Sequence, residues 1–302
     1  MSDTTLSLRR KIGNAGGLHS VVRTMKALAA SNVGQYEQSV RALADYYGTV
    51  ELGLSVCLRE REPPVSMREK DEPIGTDAIA AIVFGSDQGL VGQFNDVVAD
   101  HAIQTLASLP GEPHVWAVGE RVYARLKEAG LSMMGLFVVP NSVKGIAPLV
   151  GQIQIESEAH RIKGEYRRVY VFHNRPQTRA VYEPVSQRLL PLDAQWQKNL
   201  TAVRWPTKNL PEVMCGSTST VRALIREYLF ISLFRACAES LAGENASRLA
   251  AMQRAEKNID ELLENLTSRF HQLRQSGIDA ELFDVLSGFE SLAQAPKPRR
   301  DG

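Results

Sequence analysis

The residues closest in type and spacing to a chemical site are the glycines that follow the first apolar run. Gly85, Gly89 and Gly92 lie in Gly-Ser-Asp-Gln-Gly-Leu-Val-Gly, a G-x-x-x-G-x-x-G pattern. A dinucleotide site asks for G-x-G-x-x-G and a phosphate loop for G-x-x-x-x-G-K-[ST], and neither occurs. Two readings stay open for this segment: a strand-to-helix turn that needs flexible backbone, or an anion site at a helix N-terminus. The histidines are His19, His101, His114, His160, His173 and His271. None has another at i+3 or i+4, and none neighbours a cysteine, so metal-ligand spacing is missing. There is no G-x-S-x-G nucleophile elbow. Cys57, Cys215 and Cys237 are odd in number and far apart. They suggest neither a disulfide framework nor a zinc site, and suit a reducing cytoplasm. Arg9-Arg10-Lys11 reads as a solvated helix face ahead of a binding patch. Arg23 and Lys26 read as polar neighbours of an apolar seam, and Tyr46 and Tyr47 as filling of that seam. By itself the chain does not look like a catalyst, and no catalytic, cofactor or metal residue is assigned.

Composition narrows the classes further. The 302 residues are 44% hydrophobic and 23% charged, ordinary values for a folded soluble chain. Lys+Arg is 35 against 34 Asp+Glu. Nucleic-acid binders usually carry a basic excess, so no nucleic-acid partner is expected. The longest apolar run, Ala78–Phe84, is far short of the ~18–20 residues that span a bilayer, so no direct membrane insertion is expected. The first residues carry no apolar stretch after their charges and do not read as a secretory signal.

The elements that must position any site are marked out by proline. Twelve of the 14 prolines fall between Pro63 and Pro211, and residues 1–62 and 212–295 contain none. Proline costs ~3 kcal/mol inside a helix, so the flanks read as two long helices around a compact middle. Tyr36, Val40, Leu43, Tyr47, Val50, Leu54 and Cys57 step by alternating fours and threes, which is a heptad seam. Leu18, Val22, Met25 and Ala29 continue it upstream. Ile259, Leu262, Leu263, Leu266, Phe270 and Leu273 repeat it, and Val221, Leu224, Tyr228 and Ile231 begin a similar stripe. At ~1.5 Å per residue, helices over 3–61 and 212–290 would be ~90 and ~115 Å long, and they pack most economically as an antiparallel pair. Gly13, Gly16 and Gly17 each cost ~1 kcal/mol relative to alanine, so a kink or break is expected near Asn14.

The middle alternates between strand and helix patterns. Strands are expected at Ala78–Phe84, Val115–Val118, Met133–Val139 and Val169–His173. Helices are expected at Gln93–Ser108, Glu120–Glu128 and Val143–His160. Val181–Leu190 reads as an edge strand, because Pro184 cannot donate to a ladder. The resulting fold class is α/β with long helices. An antiparallel two-helix coiled coil, formed by the N- and C-terminal segments, flanks a small Rossmann-like open parallel sheet. The expected division is an N-terminal helix over 1–62, a central α/β domain over 63–211 with a linker from Pro191 to Pro211, a C-terminal helix over 212–293 and a disordered basic tail over 294–302.

Three segments carry a resemblance to a known family. Val22-Arg23-Thr24-Met25-Lys26-Ala27-Leu28-Ala29-Ala30 is similar to T-R-A-M-K-M-V-A-A. Ser86-Asp87-Gln88-Gly89-Leu90-Val91-Gly92-Gln93-Phe94-Asn95 is similar to S-D-R-G-L-C-G-G-F-N. Glu239-Ser240-Leu241-Ala242-Gly243-Glu244-Asn245-Ala246-Ser247-Arg248-Leu249-Ala250-Ala251-Met252 is similar to E-S-x-A-S-E-N-A-A-R-M-A-A-M. In order and spacing the chain resembles the gamma subunit of F-type ATP synthases, the central rotor stalk. Gln88, Val91, Asp279 and Phe289 depart from the family pattern, as does the Gly16-Gly17 pair. These departures look most like the alternate F-type ATPases of some bacteria.

The resemblance implies a non-catalytic subunit that couples ATP synthesis or hydrolysis to proton or sodium translocation. The implied partners are the alpha and beta subunits of the hexamer, the epsilon subunit and the membrane c-ring. The implied location is peripheral, on the cytoplasmic face of the bacterial inner membrane. Met25, Lys26, Glu244 and Arg248 match positions near an acidic lever of the catalytic subunits. Arg274, Gln275, Asp279 and Glu281 match positions that hydrogen-bond a loop of those subunits, and Val285–Leu292 matches the end that turns in the hexamer's upper sleeve. Two other classes compete: a coiled-coil scaffold with a globular hinge, and a dinucleotide enzyme with helical extensions.

Overall fold

The computed structural model describes residues 4–60, 78–177, 181–192 and 217–293, with isolated positions from 196 to 213. Cys215 and the expected tail over 294–302 lie outside the described residues. The chain divides into two compact units, one of residues 27–251 and one of residues 1–26 with 252–302.

The first long helix, α1, runs Thr5–Glu60, and the last, α5, runs Ser217–Ala293. Between them lie β1 (Ile79–Phe84), α2 (Phe94–Ser108), β2 (Pro113–Val118), α3 (Glu120–Glu128), β3 (Ser132–Phe137), α4 (Val143–Ile162), β4 (Arg168–Pro176) and β5 (Tyr182–Leu190). The strand and helix patterns of the middle are therefore found in the expected order. The expected break near Asn14 is not: Gly13, Gly16 and Gly17 all lie inside α1. A glycine weakens a helix without ending it, and here the helical residues on either side carry it through.

In the larger unit the sheet order is β3-β2-β1-β4-β5. The first four strands run parallel, and β5 pairs antiparallel with β4. The edge position expected for the Pro184 strand is correct, and it makes the sheet mixed. Strand β1 is buried at every residue, as its unbroken apolar run requires of a central parallel strand.

One face of the sheet (Ile79, Ala81, Val83, Val115, Ala117, Phe172) packs on α2 and α3 through Val98, Ala102, Leu106, Val122 and Leu126. The other (Ala80, Ile82, Trp116, Val118, Val171) is covered by α4 and also by α5, through Leu233, Ala236, Cys237, Leu241 and Ala242. The C-terminal helix is thus a layer of the α/β domain as well as half of a helix pair.

Within this unit α1 and α5 meet in a second core of Val50, Leu54, Cys57, Val221, Tyr228 and Ile231. Their direction is antiparallel. Asn32 bonds Asn245, Tyr47 lies 5.9 Å from Tyr228, and Gly53 faces Leu224. Tyr47 joins this seam, but Tyr46 does not; it is exposed and donates to Glu227 at 2.8 Å.

In the smaller unit Leu8, Ala15 and Val22 of α1 are buried, as are Met252 and Ile259 of α5. The upstream stripe expected through Leu18 is displaced, because Leu18 is 55% exposed. The buried residues recur every seven from Leu8, and the position four residues on holds Ile12, His19 and Lys26. Leu262 and Leu273 are likewise outside the seam at 49% and 39% exposed, since Ile259, Leu263, Leu266 and Phe270 take the inner face. His19 contacts Asp260 at 3.1 Å and Lys26 pairs with Glu256. Polar residues at seam positions fix register where apolar ones would allow slippage.

A Cβ at Gly16 or Gly17 would meet nothing within 4 Å. Replacing either by alanine is expected to add about 0.5–1 kcal/mol of stability, the usual helix-interior difference. A raised urea midpoint is the expected result; an unchanged or lowered one would mean the helix is interrupted there.

Candidate functional site

The glycine-bearing segment after β1 is closed on itself. Gly85 donates to Val118 O at 2.8 Å, and a Cβ on it would stand 2.4 Å from Val122, so no side chain fits. The Ser86 N–H donates to Asn95 Oδ1 at 2.9 Å, and Asn95 Nδ2 returns a bond to Ser86 Oγ at 2.8 Å. Asp87 accepts from the backbone N–H of Glu120 and of Val139, each at 2.9 Å. One carboxylate thereby holds the start of α3 and the exit of β3, and it places negative charge at the helix end that favours it. Gly119, at φ +115°, sits with Ser86 backbone atoms at 2.8 Å from where its Cβ would be. Of the two readings of this segment, the strand-to-helix turn is the one observed. Ser86 is spent on Asn95 and Asp87 on the backbone of Glu120 and Val139, and Asp96 adds an acidic charge to the first turn of α2.

Strand order reverses between β1 and β4, and open α/β sheets bind ligands outside the strand ends at such a switch point. Here α5 occupies that place. A Cβ on Gly243 would lie 3.2 Å from Asn174 O and 3.4 Å from the Phe94 ring. Ser247 donates to Val91 O at 2.5 Å, and Asn174 Nδ2 donates to Phe94 O at 2.8 Å. The crevice is filled by protein, and the second and third motif segments are each other's contacts.

The same stretch of α5 carries two buried carboxylates. Glu239 accepts from His173 Nε2 at 2.7 Å, Arg175 Nε at 3.0 Å and Arg235 Nε at 2.7 Å. Burial opposes its ionisation, but these bonds outweigh burial and hold its pKa at about 2. Glu244 differs. Burial raises its pKa, and its Arg248 partner, Nη2 to Oε1 at 2.6 Å, offsets that only in part. Glu244 Oε2 and Arg248 Nε are buried without a hydrogen-bond partner among the described residues. Buried Tyr36 lies near this pair, and its pKa is raised by burial first and by Glu244 second.

The family model described as ATP synthase matches residues 4–292. The chain belongs to the ATP synthase gamma-chain family. The ATP synthase gamma chain of Syntrophus aciditrophicus is 26% identical over 301 residues, covering 95% of this chain and 98% of that one. That of Nostoc sp. is 28% identical over 320 residues, with the same two coverages. A chain in the cryo-EM structure of the Euglena gracilis mitochondrial ATP synthase, with OSCP, F1 and c-ring, shares the fold at TM-score 0.61 and 15% identity. It covers 99% of this chain and 98% of its own. A chain in the Tetrahymena thermophila central stalk and c-ring structure aligns at TM-score 0.54 and 20% identity, over 78% of this chain and 99% of that chain.

The eight residues singled out by the gamma resemblance fall into three groups. Glu244 and Arg248 are brought together and are largely buried. Lys26 is paired with Glu256 and Met25 is half-buried. Arg274, Gln275, Asp279 and Glu281 are all exposed on α5. Glu239, His173 and Arg235 have no role assigned from the sequence, although Glu239 opens the third gamma segment. An acidic residue four after an arginine, at the head of a small-residue helix, was the available signal.

Glu239→Gln is expected to lose about 2–3 kcal/mol at pH 7, the scale of hydrogen bonds to a buried charge. The carboxylate's contribution is complete above its ordinary value of 4.5 and is lost as pH falls towards 2. Urea unfolding at pH 7, 5 and 3 should show the gap between the two proteins narrowing; a constant gap would remove the ionic role. Gly243→Val should cost about 1–3 kcal/mol by overpacking, read as a lower thermal midpoint.

Proposed function

We propose that this chain is the rotor stalk of an F-type ATPase, non-catalytic by itself. It transmits torque between an ion-driven membrane c-ring and a hexamer of alpha and beta subunits. The observation that carries the reading is the apolar face near the end of α5. Ile278, Leu282, Val285 and Leu286 recur at helical spacing with Phe283 beside them, and all five are exposed. A contiguous apolar stripe on a helix is a partner surface, and in a gamma-family chain the partner is the hexamer's sleeve. The rest of the expected bearing segment, 288–292, has side chains outside the described residues.

The α/β domain fits the same reading. Its ligand crevice is taken by Gly243 and Ser247, so nucleotide chemistry belongs to the hexamer. Arg274, Gln275, Asp279 and Glu281 are exposed to meet a loop of the catalytic subunits. Asp279, when ionised, accepts hydrogen bonds and cannot donate them. Met25 and Lys26 stand near the acidic lever, and Glu244 and Arg248 act there by bracing each other on α5. The α/β domain meets the epsilon subunit and the c-ring. The subunit is peripheral, on the cytoplasmic face of a bacterial inner membrane. Among the described residues no helix is long and apolar enough to cross a membrane.

An asymmetric stalk shifts each catalytic subunit between states only because it touches them differently. The coupling is reciprocal, so hydrolysis can drive rotation and ion flow can drive synthesis. Packed seams transmit the torque, because twisting them must disturb close-packed side chains.

Purification through a tag on this chain is expected to bring down three catalytic and three non-catalytic subunits per stalk. Recovery of the chain without a hexamer overturns the reading. Met25→Lys places a second cation beside the Lys26–Glu256 pair. In reconstituted vesicles it should lower the ions pumped per ATP hydrolysed while hydrolysis continues; an unchanged ratio removes Met25 from the lever.

A further inference from the structure

The larger unit contains a concavity of about 430 Å³ that the stalk function does not use. It opens between α4 and α5, beside the end of the sheet where β4 begins and β5 finishes. Its floor is aliphatic: Val169, Leu189 and Leu233 are buried there, with Leu229 partly so. Its rim is cationic, with Arg161 on α4 and Arg222 and Arg226 on α5.

Arg222 and Arg226 are four residues apart and so share one helix face. Both are exposed. The ion pairs of this unit do not include either of them among the described residues. Arg161 neutralises the rim's carboxylate, Glu158, at 3.5 Å. Two unspent guanidinium groups therefore stand over an apolar pit. The pit is not a loose gap: Gln154 Nε2 donates to Arg226 O at 3.3 Å and ties the two walls together. Tyr166, the aromatic residue of the lining, donates its hydroxyl to Ser157 O.

From this juxtaposition we propose a ligand site for an anionic single-chain amphiphile, with a carboxylate or phosphate head on the two arginines and an aliphatic tail in the pit. Size fits, since small-molecule pockets fall at ~300–1,000 Å³ and bury most of their ligand. Chemistry selects the class. Arginine's planar fork matches carboxylate and phosphate oxygens, and an aliphatic floor suits a hydrocarbon tail better than a polar sugar and base. A head alone would forfeit the apolar contact, and a tail alone would leave the cations unpaired.

The test uses the purified stalk–hexamer complex, titrated with dodecanoate below its micelle concentration and followed by calorimetry. Dodecyl phosphate, dodecanol and inorganic phosphate serve as comparison probes. Dodecanoate and dodecyl phosphate are expected to bind saturably at one site per stalk. Dodecanol and inorganic phosphate should each bind at least tenfold more weakly. The double variant R222Q/R226Q should weaken dodecanoate at least tenfold, with an unchanged thermal midpoint and unchanged ATP hydrolysis. Because the complex is the sample, its assembly reports the stalk role separately from the titration. No saturable binding, equal affinity for dodecanol, equal affinity for inorganic phosphate, or an R222Q/R226Q variant that binds as the parent does would each overturn the proposal.

Discussion

Helix α5 has to satisfy two packing geometries within one unit. Towards its start it offers Val221, Tyr228 and Ile231 to the seam with α1. From Leu233 to Ala242 it offers small and aliphatic residues to a sheet face. A seam admits large side chains that interdigitate, whereas a helix laid close on strands needs short ones. The change from Tyr and Ile to Ala, Cys and Gly along α5 follows that demand. At Gly243 the approach is close enough that one added carbon would press on Asn174 O.

That approach is secured by polar groups as much as by apolar ones. Glu239 gathers His173, Arg175 and Arg235 where β4 leaves the sheet, and Ser247 reaches Val91 O across the switch-point loop. Each is buried where an unpaired polar atom is costly, so the bonds fix a single seating of helix on sheet. They also remove the crevice in which related sheets hold ligands. An α/β domain with a switch-point topology is here a mount for a helix.

The pairing of α1 with α5 shows the complementary device. In the smaller unit, polar pairs stand at seam positions that larger apolar residues could fill: His19 with Asp260 and Lys26 with Glu256. Apolar seams slide by a heptad with little change in contact, but a charge meets its partner in one register only.

Much of this was legible in the residues. Proline placement bounded the long helices, because proline is costly inside one. Apolar runs alternating with helical patterns gave the elements of the middle in order, and the edge strand followed from Pro184 having no N–H to donate. The motif segments identified the family, and the glycine spacing spoke against a phosphate loop. These are local properties, written in neighbours a few residues apart. The tertiary structure decided what depends on distant residues meeting. It placed α5 on the sheet, carried α1 through its glycines, moved Leu18, Leu262 and Leu273 out of the seam and sent Tyr46 to Glu227. It also assembled Glu239 with His173 and the arginine-rimmed pit. Periodicity reports which face of a helix is apolar, but not which of two apolar surfaces far along the chain that face will meet.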